Sequence, residues 1–140
     1  MCGMRYHLLL ALLGLLLSGC AHRDARDSSL REQITGTWTQ GDSAEVTFLS
    51  DGKFSSRVQR AESVAQYDGK WDVRDGFLVI STTRESERYA PSATKVYSVS
   101  GRPNPTHERI LHVDGAHLAI LCDDLETAQS GPKTNLWERK

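Results

Sequence analysis

Three Asp-Gly pairs, Asp51-Gly52, Asp75-Gly76 and Asp114-Gly115, each stand between two short apolar runs. They constrain the fold more than any other feature of the chain. Both residue types tolerate positive φ, which a tight hairpin demands. From Gly36 onward, runs rich in Val, Ile, Phe, Trp and Thr alternate with turn residues at intervals of roughly 8–12 positions, the spacing of consecutive short strands. Strands are expected near Thr37–Thr39, Ala44–Leu49, Lys53–Arg60, Ala65–Arg74, Phe77–Thr83, Thr94–Ser100, Glu108–Val113 and Ala116–Cys122, with room for a short ninth at Trp137–Lys140. A fourth pair, Asp68-Gly69, lies inside an apolar stretch and marks a bulge or bend. No helix of ordinary length fits after Gly36.

Turn length decides which side chains are buried. A three-residue loop at Ser50-Asp51-Gly52, with Gly52 left-handed, pairs Phe48 with Phe54 and puts Val46, Phe48, Phe54 and Val58 on one face. A two-residue loop would pair Leu49 with Phe54 and collect less apolar area, so the first register is preferred. At Asp75-Gly76 the test is undecided, because Leu78/Ile80 and Phe77/Val79 are both credible inward pairs.

Hairpin following hairpin, with no apolar helix to cover a sheet, favours a sheet closed on itself. The expected fold is all-β: a small antiparallel up-and-down barrel of about eight strands, with a twisted two-sheet sandwich as the alternative. The longer breaks, Glu85–Ala93, Gly101–His107 and Asp123–Asn135, would form rim loops.

Upstream of the barrel the composition changes. Fourteen of the first twenty residues are apolar, and Leu8–Leu17 is an almost unbroken run with Arg5 before it. A helix of ten residues rises only about 15 Å, half of a bilayer core, so the run fits a secretory leader better than a permanent span. Leu17-Ser18-Gly19-Cys20 resembles the lipobox of bacterial lipoproteins. That resemblance implies a signal peptide over 1–19 and diacylglycerol on Cys20, the new N-terminus. Multiple acyl chains give stable anchoring where one is marginal. Ala21, rather than Asp, follows the cysteine, which in a two-membrane host implies the outer membrane facing the periplasm. Residues 20–33 are polar and read as a tether, about 20 Å in r.m.s. span if flexible. Ser29-Leu30-Arg31-Glu32 fits a capping box for one helical turn. The domain then occupies 34–140. With Cys2 removed and Cys20 acylated, no intramolecular disulfide can form, and Cys122, at the end of Leu118-Ala119-Ile120-Leu121, reads as a buried structural thiol. A formal net charge of −1 excludes a nucleic-acid binder that works through a basic surface.

Gly36-Thr37-Trp38 resembles the Gly-x-Trp signature of lipocalins. Val46-Thr47-Phe48, Ser50-Asp51-Gly52-Lys53-Phe54, Gly69-Lys70-Trp71-Asp72-Val73 and Asp75-Gly76-Phe77-Leu78-Val79-Ile80 extend the likeness to the lipocalin-like domains of bacterial lipoproteins. The likeness runs over about Ile34–Ser81. It implies a barrel whose first-strand Trp38 packs at the closed end under an arginine from near the last strand, for which Arg139 is the candidate. It also implies a ligand in the interior, lined or floored by Trp38, Phe48, Phe54 and Trp71.

The search for chemistry yields little. A two-residue turn at Asp114-Gly115 would set His112 opposite His117, with Cβ atoms about 5 Å apart, and Leu111 opposite Leu118; a three-residue turn would send the histidines to opposite faces. Two imidazoles are half of a zinc site, and with no acidic or thiol ligand forced near them they read as rim histidines, with no metal expected. Nucleophile-elbow, metalloprotease and phosphate-loop motifs are absent, Ser43 has no base at a suggestive spacing, and the carboxylates Glu85, Glu87, Asp123 and Asp124 fall in expected loops, where they read as solvated charge. The expectation is a lipid-anchored, non-enzymatic envelope protein without a cofactor, binding a small apolar or amphiphilic ligand. The alternative is an envelope interaction or assembly module with a solid core and partner-binding rim loops.

Overall fold

Nine strands follow one another along the chain: β1 (Gly36–Gln40), β2 (Ala44–Phe48), β3 (Lys53–Gln59), β4 (Ser63–Arg74), β5 (Phe77–Tyr89), β6 (Ala93–Ser98), β7 (Thr106–Val113), β8 (His117–Cys122) and β9 (Lys133–Arg139). The computed structural model describes residues 23–89, 93–98, 105–122 and 133–140. The expected leader, the expected acylation site Cys20 and most of the expected rim segments Gly101–His107 and Asp123–Asn135 lie outside the described residues.

The strands pair antiparallel in the order β4-β3-β2-β1-β9-β8-β7-β5-β6, and β4 pairs again with β5. That second pairing closes eight strands into an all-β barrel, leaving no free edge in the ring. The ninth strand is β6 rather than the C-terminal one. It lies on the far half of β5, from Arg84↔Ser98 to Tyr89↔Ala93, while the near half of β5 pairs with β7. The C-terminal strand instead runs seven residues and seals the ring against β1 through Trp38↔Arg139 and Thr39↔Glu138. Its composition, Lys-Thr-Asn-Leu-Trp-Glu-Arg, has too little apolar alternation to announce the part before Trp137.

The turns sort the faces. At Ser50-Asp51-Gly52 the three-residue loop pairs Phe48 with Phe54, with Gly52 at φ 83°. Asp75-Gly76 is a two-residue turn with φ 53° and 78°, the setting of a type I′ hairpin. It pairs Val73 with Leu78, so Leu78 and Ile80 turn inward while Phe77 stays partly exposed. Val79 on the opposite face is buried as well. At Asp114-Gly115 the expectation fails. The loop spans four residues, Val113 pairs with Leu118, and a bulge between Ile110 and His112 throws Leu111 outward, half exposed. Burying Leu118, which is fully enclosed, sets this register. The stretch Glu85–Tyr89, expected as a loop, is a direct continuation of β5 paired with β4.

The bulge near Asp68-Gly69 lies where expected, with Thr83 as the extra residue between Asp68↔Arg84 and Gly69↔Thr82. Gly69 faces the Phe54 ring across the β3–β4 ladder. A Cβ there would fall 2.1 Å from the Ser81 carbonyl oxygen and 2.8 Å from Phe54 Cε1, so no larger residue fits without moving a strand.

Residues 23–34 form one helix, α1, where the sequence suggested a flexible tether with at most one turn. Ser29 is inside it rather than at its start, and its Oγ accepts from Gln33 Nε2 at 3.2 Å. Asp27, Leu30, Arg31 and Ile34 share the face that is turned from solvent, the i, i+3, i+4, i+7 stripe of a docked helix. Two of those four are charged, which is why the stripe does not read as apolar. Asp27 accepts from the backbone N–H groups of Asp75 (2.6 Å) and Gly76 (3.0 Å). Arg31 Nη1 donates to Asp72 Oδ1 at 2.6 Å, and its guanidinium stands 5.1 Å from the Trp71 ring centre. None of the helical segments among the described residues is long and apolar enough to cross a membrane.

Candidate functional site

The barrel interior divides into a packed half and a hollow half. The packed half lies under α1. Ile34, Trp38, Leu78 and Leu118 are fully buried there, with Phe48, Trp71 and Val73 close to it. Each indole N–H is satisfied: Trp38 Nε1 donates to the Ile34 carbonyl at 2.7 Å and Trp71 Nε1 to the Leu49 carbonyl at 2.9 Å. The Phe48 and Trp71 rings meet at 5.0 Å with a 56° tilt, a tilted packing typical of aromatic pairs.

Arg139 completes this end. Its guanidinium carbon lies 4.4 Å from the Trp38 ring centre, and its two Nη atoms donate to the Thr35 and Gln33 carbonyls. One cation thus covers an aromatic face and caps the C-terminal carbonyls of α1, where the helix dipole favours positive charge. Gly36, at φ +135°, makes room for it: a Cβ there would stand 3.2 Å from Arg139 Nη1. The Gly-Thr-Trp of the first strand therefore serves helix capping and barrel closure together.

The hollow half is a cavity of about 290 Å³. Val46, Phe48, Phe54, Leu78, Ile80, Ile120 and Trp137 form its apolar surface. Ser56, Tyr67, Thr82, Thr106, Cys122 and Asn135 add a polar part, and Glu108 brings one carboxylate. Of the four residues expected to line or floor the interior, Phe48 and Phe54 stand in the cavity wall. Trp38 and Trp71 are absent from the cavity wall and belong to the packed half, because their rings are committed to α1, Arg139 and Arg31.

The polar wall escaped the sequence reading because Ser, Thr and Asn at inward positions imitate the outward half of a strand. Alternation from an established register could have found them: Phe54 inward makes Ser56 inward, and Leu78 and Ile80 make Thr82 inward. Cys122 is only half-buried, in the cavity wall, and its Sγ accepts from Asn135 Nδ2 at 3.1 Å. The burial read from its apolar neighbours is therefore incomplete, since the strand ends at this residue.

A polar cluster stands on β4 and β5 beyond the cavity. Glu87 accepts from Ser63 Oγ (2.6 Å), the Tyr89 hydroxyl (2.5 Å) and Arg60 Nη1 (2.9 Å), while Arg60 Nη2 donates to the Tyr67 hydroxyl at 2.9 Å. These donors hold the Glu87 carboxyl below its usual range, and burial pushes the Tyr67 phenol up. Three donors converge on the Glu87 carboxylate and the fourth reaches Tyr67, so the cluster ties the extended hairpin together.

The histidines are not opposite one another. His112 pairs with Ala119, and both imidazoles turn to Asp114: His112 Nε2 lies 3.1 Å from Oδ2 and His117 Nδ1 3.5 Å from Oδ1. Asp114 also accepts from the backbone N–H groups of Ala116 and His117 at 2.7 Å, which with His112 hold its carboxyl well below the usual range. An acidic group is thus near the pair after all, as the organiser of the turn. Among the described residues no group of three or more His, Cys, Asp and Glu side chains is placed to hold a metal ion. Ser43 Oγ donates to the Gln40 carbonyl at 2.7 Å within the β1–β2 turn.

No protein-family model, curated protein or solved structure matches the chain.

Proposed function

We propose that this chain is a lipid-anchored lipoprotein of the bacterial cell envelope whose lipocalin-like barrel binds a small apolar or amphiphilic ligand without chemistry. The observation that carries the binding reading is the cavity: apolar side chains and hydroxyl, thiol and amide groups share one wall. About 290 Å³ is near the lower end of small-molecule sites, which run from about 300 to 1,000 Å³. The anchoring reading rests on Leu17-Ser18-Gly19-Cys20 after an apolar run. Acylation at Cys20 would put α1 next to the membrane and hold the barrel at the outer-membrane surface facing the periplasm.

Titration with an environment-sensitive naphthalene probe tests the binding reading. Saturable binding of one probe per chain supports it; no saturable signal indicates that the interior excludes ligands. Cys20→Ala tests the anchor, moving the protein from the membrane fraction to the soluble one; an unchanged distribution counts against acylation there.

The alternative, an envelope interaction module, draws on the outer surface. Leu136 is 54% exposed and pairs with Ala119, which also pairs with His112 next to the bulged Leu111, itself 50% exposed. A stoichiometric envelope partner lost on Leu111→Ser with Leu136→Ser would favour that reading.

A further inference from the structure

We infer that the cavity takes a small amphiphile with an uncharged hydroxyl head, which the hydroxyls of Ser56, Thr82 and Thr106 hold at the end away from α1 while its apolar body lies against the floor. The inference rests on the ligand-binding reading above and adds a ligand class and an orientation to it.

Three observations carry it. First, the polar wall groups form a collar at one end of the space. β3 and β5 start beside α1, which reaches the Ser50 carbonyl through Arg31 and the backbone N–H groups of Asp75 and Gly76 through Asp27. Moving away from α1, β3 turns Phe54 and then Ser56 inward, and β5 turns Leu78, Ile80 and then Thr82 inward. The strands that run back toward α1 show the reverse order. Tyr67 precedes Trp71 on β4, Thr106 precedes Ile110 on β7, and Asn135 precedes Trp137 on β9. Ser56 stands opposite Tyr67, and Thr106 stands opposite Ile80, two residues before Thr82. The floor toward α1 is made by Phe48, Phe54 and Leu78.

Secondly, the collar divides into committed and available groups. The Tyr67 hydroxyl accepts from Arg60, and the Asn135 amide donates to the Cys122 sulfur. Glu108, in the same wall, already has an interaction of its own, and the head group does not depend on it. The side chains of Ser56, Thr82 and Thr106 make no hydrogen bond among the described residues, and none of the three is buried, so solvent can reach them. An apolar ligand filling the space would strip these hydroxyls of water and leave them unsatisfied. A ligand hydroxyl, donor and acceptor at once, would take the place of that water.

Thirdly, the size is defined. A dry cavity of about 150 Å³ accommodates one benzene ring. The space in the barrel is roughly twice that, enough for a chain or fused ring on the order of ten heavy atoms.

Calorimetric titration of the purified protein with 2-naphthol and with 2-methylnaphthalene, which differ by a hydroxyl against a methyl group of similar size, tests this directly. 2-Naphthol should bind one per chain and at least as tightly as 2-methylnaphthalene, although its hydroxyl is costlier to dehydrate. Thr82→Val and Thr106→Val keep the side-chain shape and remove the hydroxyl. Each should weaken 2-naphthol by about threefold or more and leave 2-methylnaphthalene unchanged or tighter. Ser56→Ala should act in the same sense and serves where a valine variant does not fold. Ile80→Val, below the collar, should weaken both ligands alike. Tighter binding of 2-methylnaphthalene overturns the hydroxyl assignment but leaves a ligand-binding barrel standing. So does a 2-naphthol affinity that the collar variants leave unchanged. Binding of neither compound also overturns the assignment, and if the naphthalene probe gives no signal either, the cavity reading falls with it.

Discussion

The two halves of this barrel are made by the same strands and differ in what those strands turn inward. Near α1 the inward positions are Trp38, Trp71, Val73, Leu78 and Leu118, and the interior is filled. Farther along, β3 contributes Ser56, β5 Thr82, β7 Thr106 and β9 Asn135, and a cavity remains. A ring of eight strands is just wide enough for side chains to fill or for one small ligand to enter, so side-chain volume decides between those outcomes. The comparison teaches that closure and open interior space are assigned to separate levels of one short barrel. Large aromatic groups with satisfied indole N–H donors supply the first, and small polar groups leave space for the second.

Substitutions at the two levels should therefore behave differently. The largest effect is expected for Trp38→Ala, which empties the most enclosed aromatic site and removes both the helix cap and the surface under Arg139; a loss of about 3–5 kcal/mol in denaturant unfolding is expected. Trp137→Ala, in the cavity wall and partly buried, should cost about 1–2 kcal/mol. Equal losses at the two positions would break the distinction. Gly69→Ala is expected to destabilise by about 1–3 kcal/mol, because its methyl group collides with the Ser81 carbonyl and the Phe54 ring. A neutral result would show that the bulge can move.

Arg139→Ala should lower stability by about 1–2 kcal/mol through lost stacking and lost helix capping. Arg139→Lys should recover only part, since an ammonium cannot stack and reach two carbonyls together. The smallest effect concerns acid. Glu87 and Asp114 have folded-state pKa values below their usual range, so their contribution is complete above about pH 4.5 and is lost as pH falls through the lower folded values. Glu87→Gln should flatten the acid limb of the stability profile and leave its slope above pH 5 unchanged. An acid limb identical to that of the unsubstituted protein would show that the cluster around Glu87 does not contribute.

The filled level was the legible one. Aromatic residues next to Asp-Gly turns identify their own strands, and Phe48 opposite Phe54 followed from comparing two loop lengths. The hollow level was harder to read, since Ser56, Thr82 and Asn135 are polar residues in inward positions and periodicity assigns such residues to solvent. The same limitation hid α1, whose docking face uses Asp27 and Arg31 in ion pairs and backbone capping in place of an apolar stripe. It also hid the first half of β9, where Asn135 faces the cavity, while Trp137 onward and the place of Arg139 over Trp38 were legible. At Asp114-Gly115 the turn residues were visible but the loop length was not. Four residues in place of two, together with the bulge at Leu111, separated the histidines.

The most direct test of a barrel filled at one level and hollow at the other is Ser56→Trp, which places a large ring into the cavity without touching the closed end. Binding of the naphthalene probe and the thermal midpoint should be measured on the same sample. Probe binding should be abolished with the midpoint unchanged or raised, as expected when a side chain occupies space that was empty. Probe binding that survives, or a midpoint that falls as far as it does for Trp38→Ala, would contradict the account.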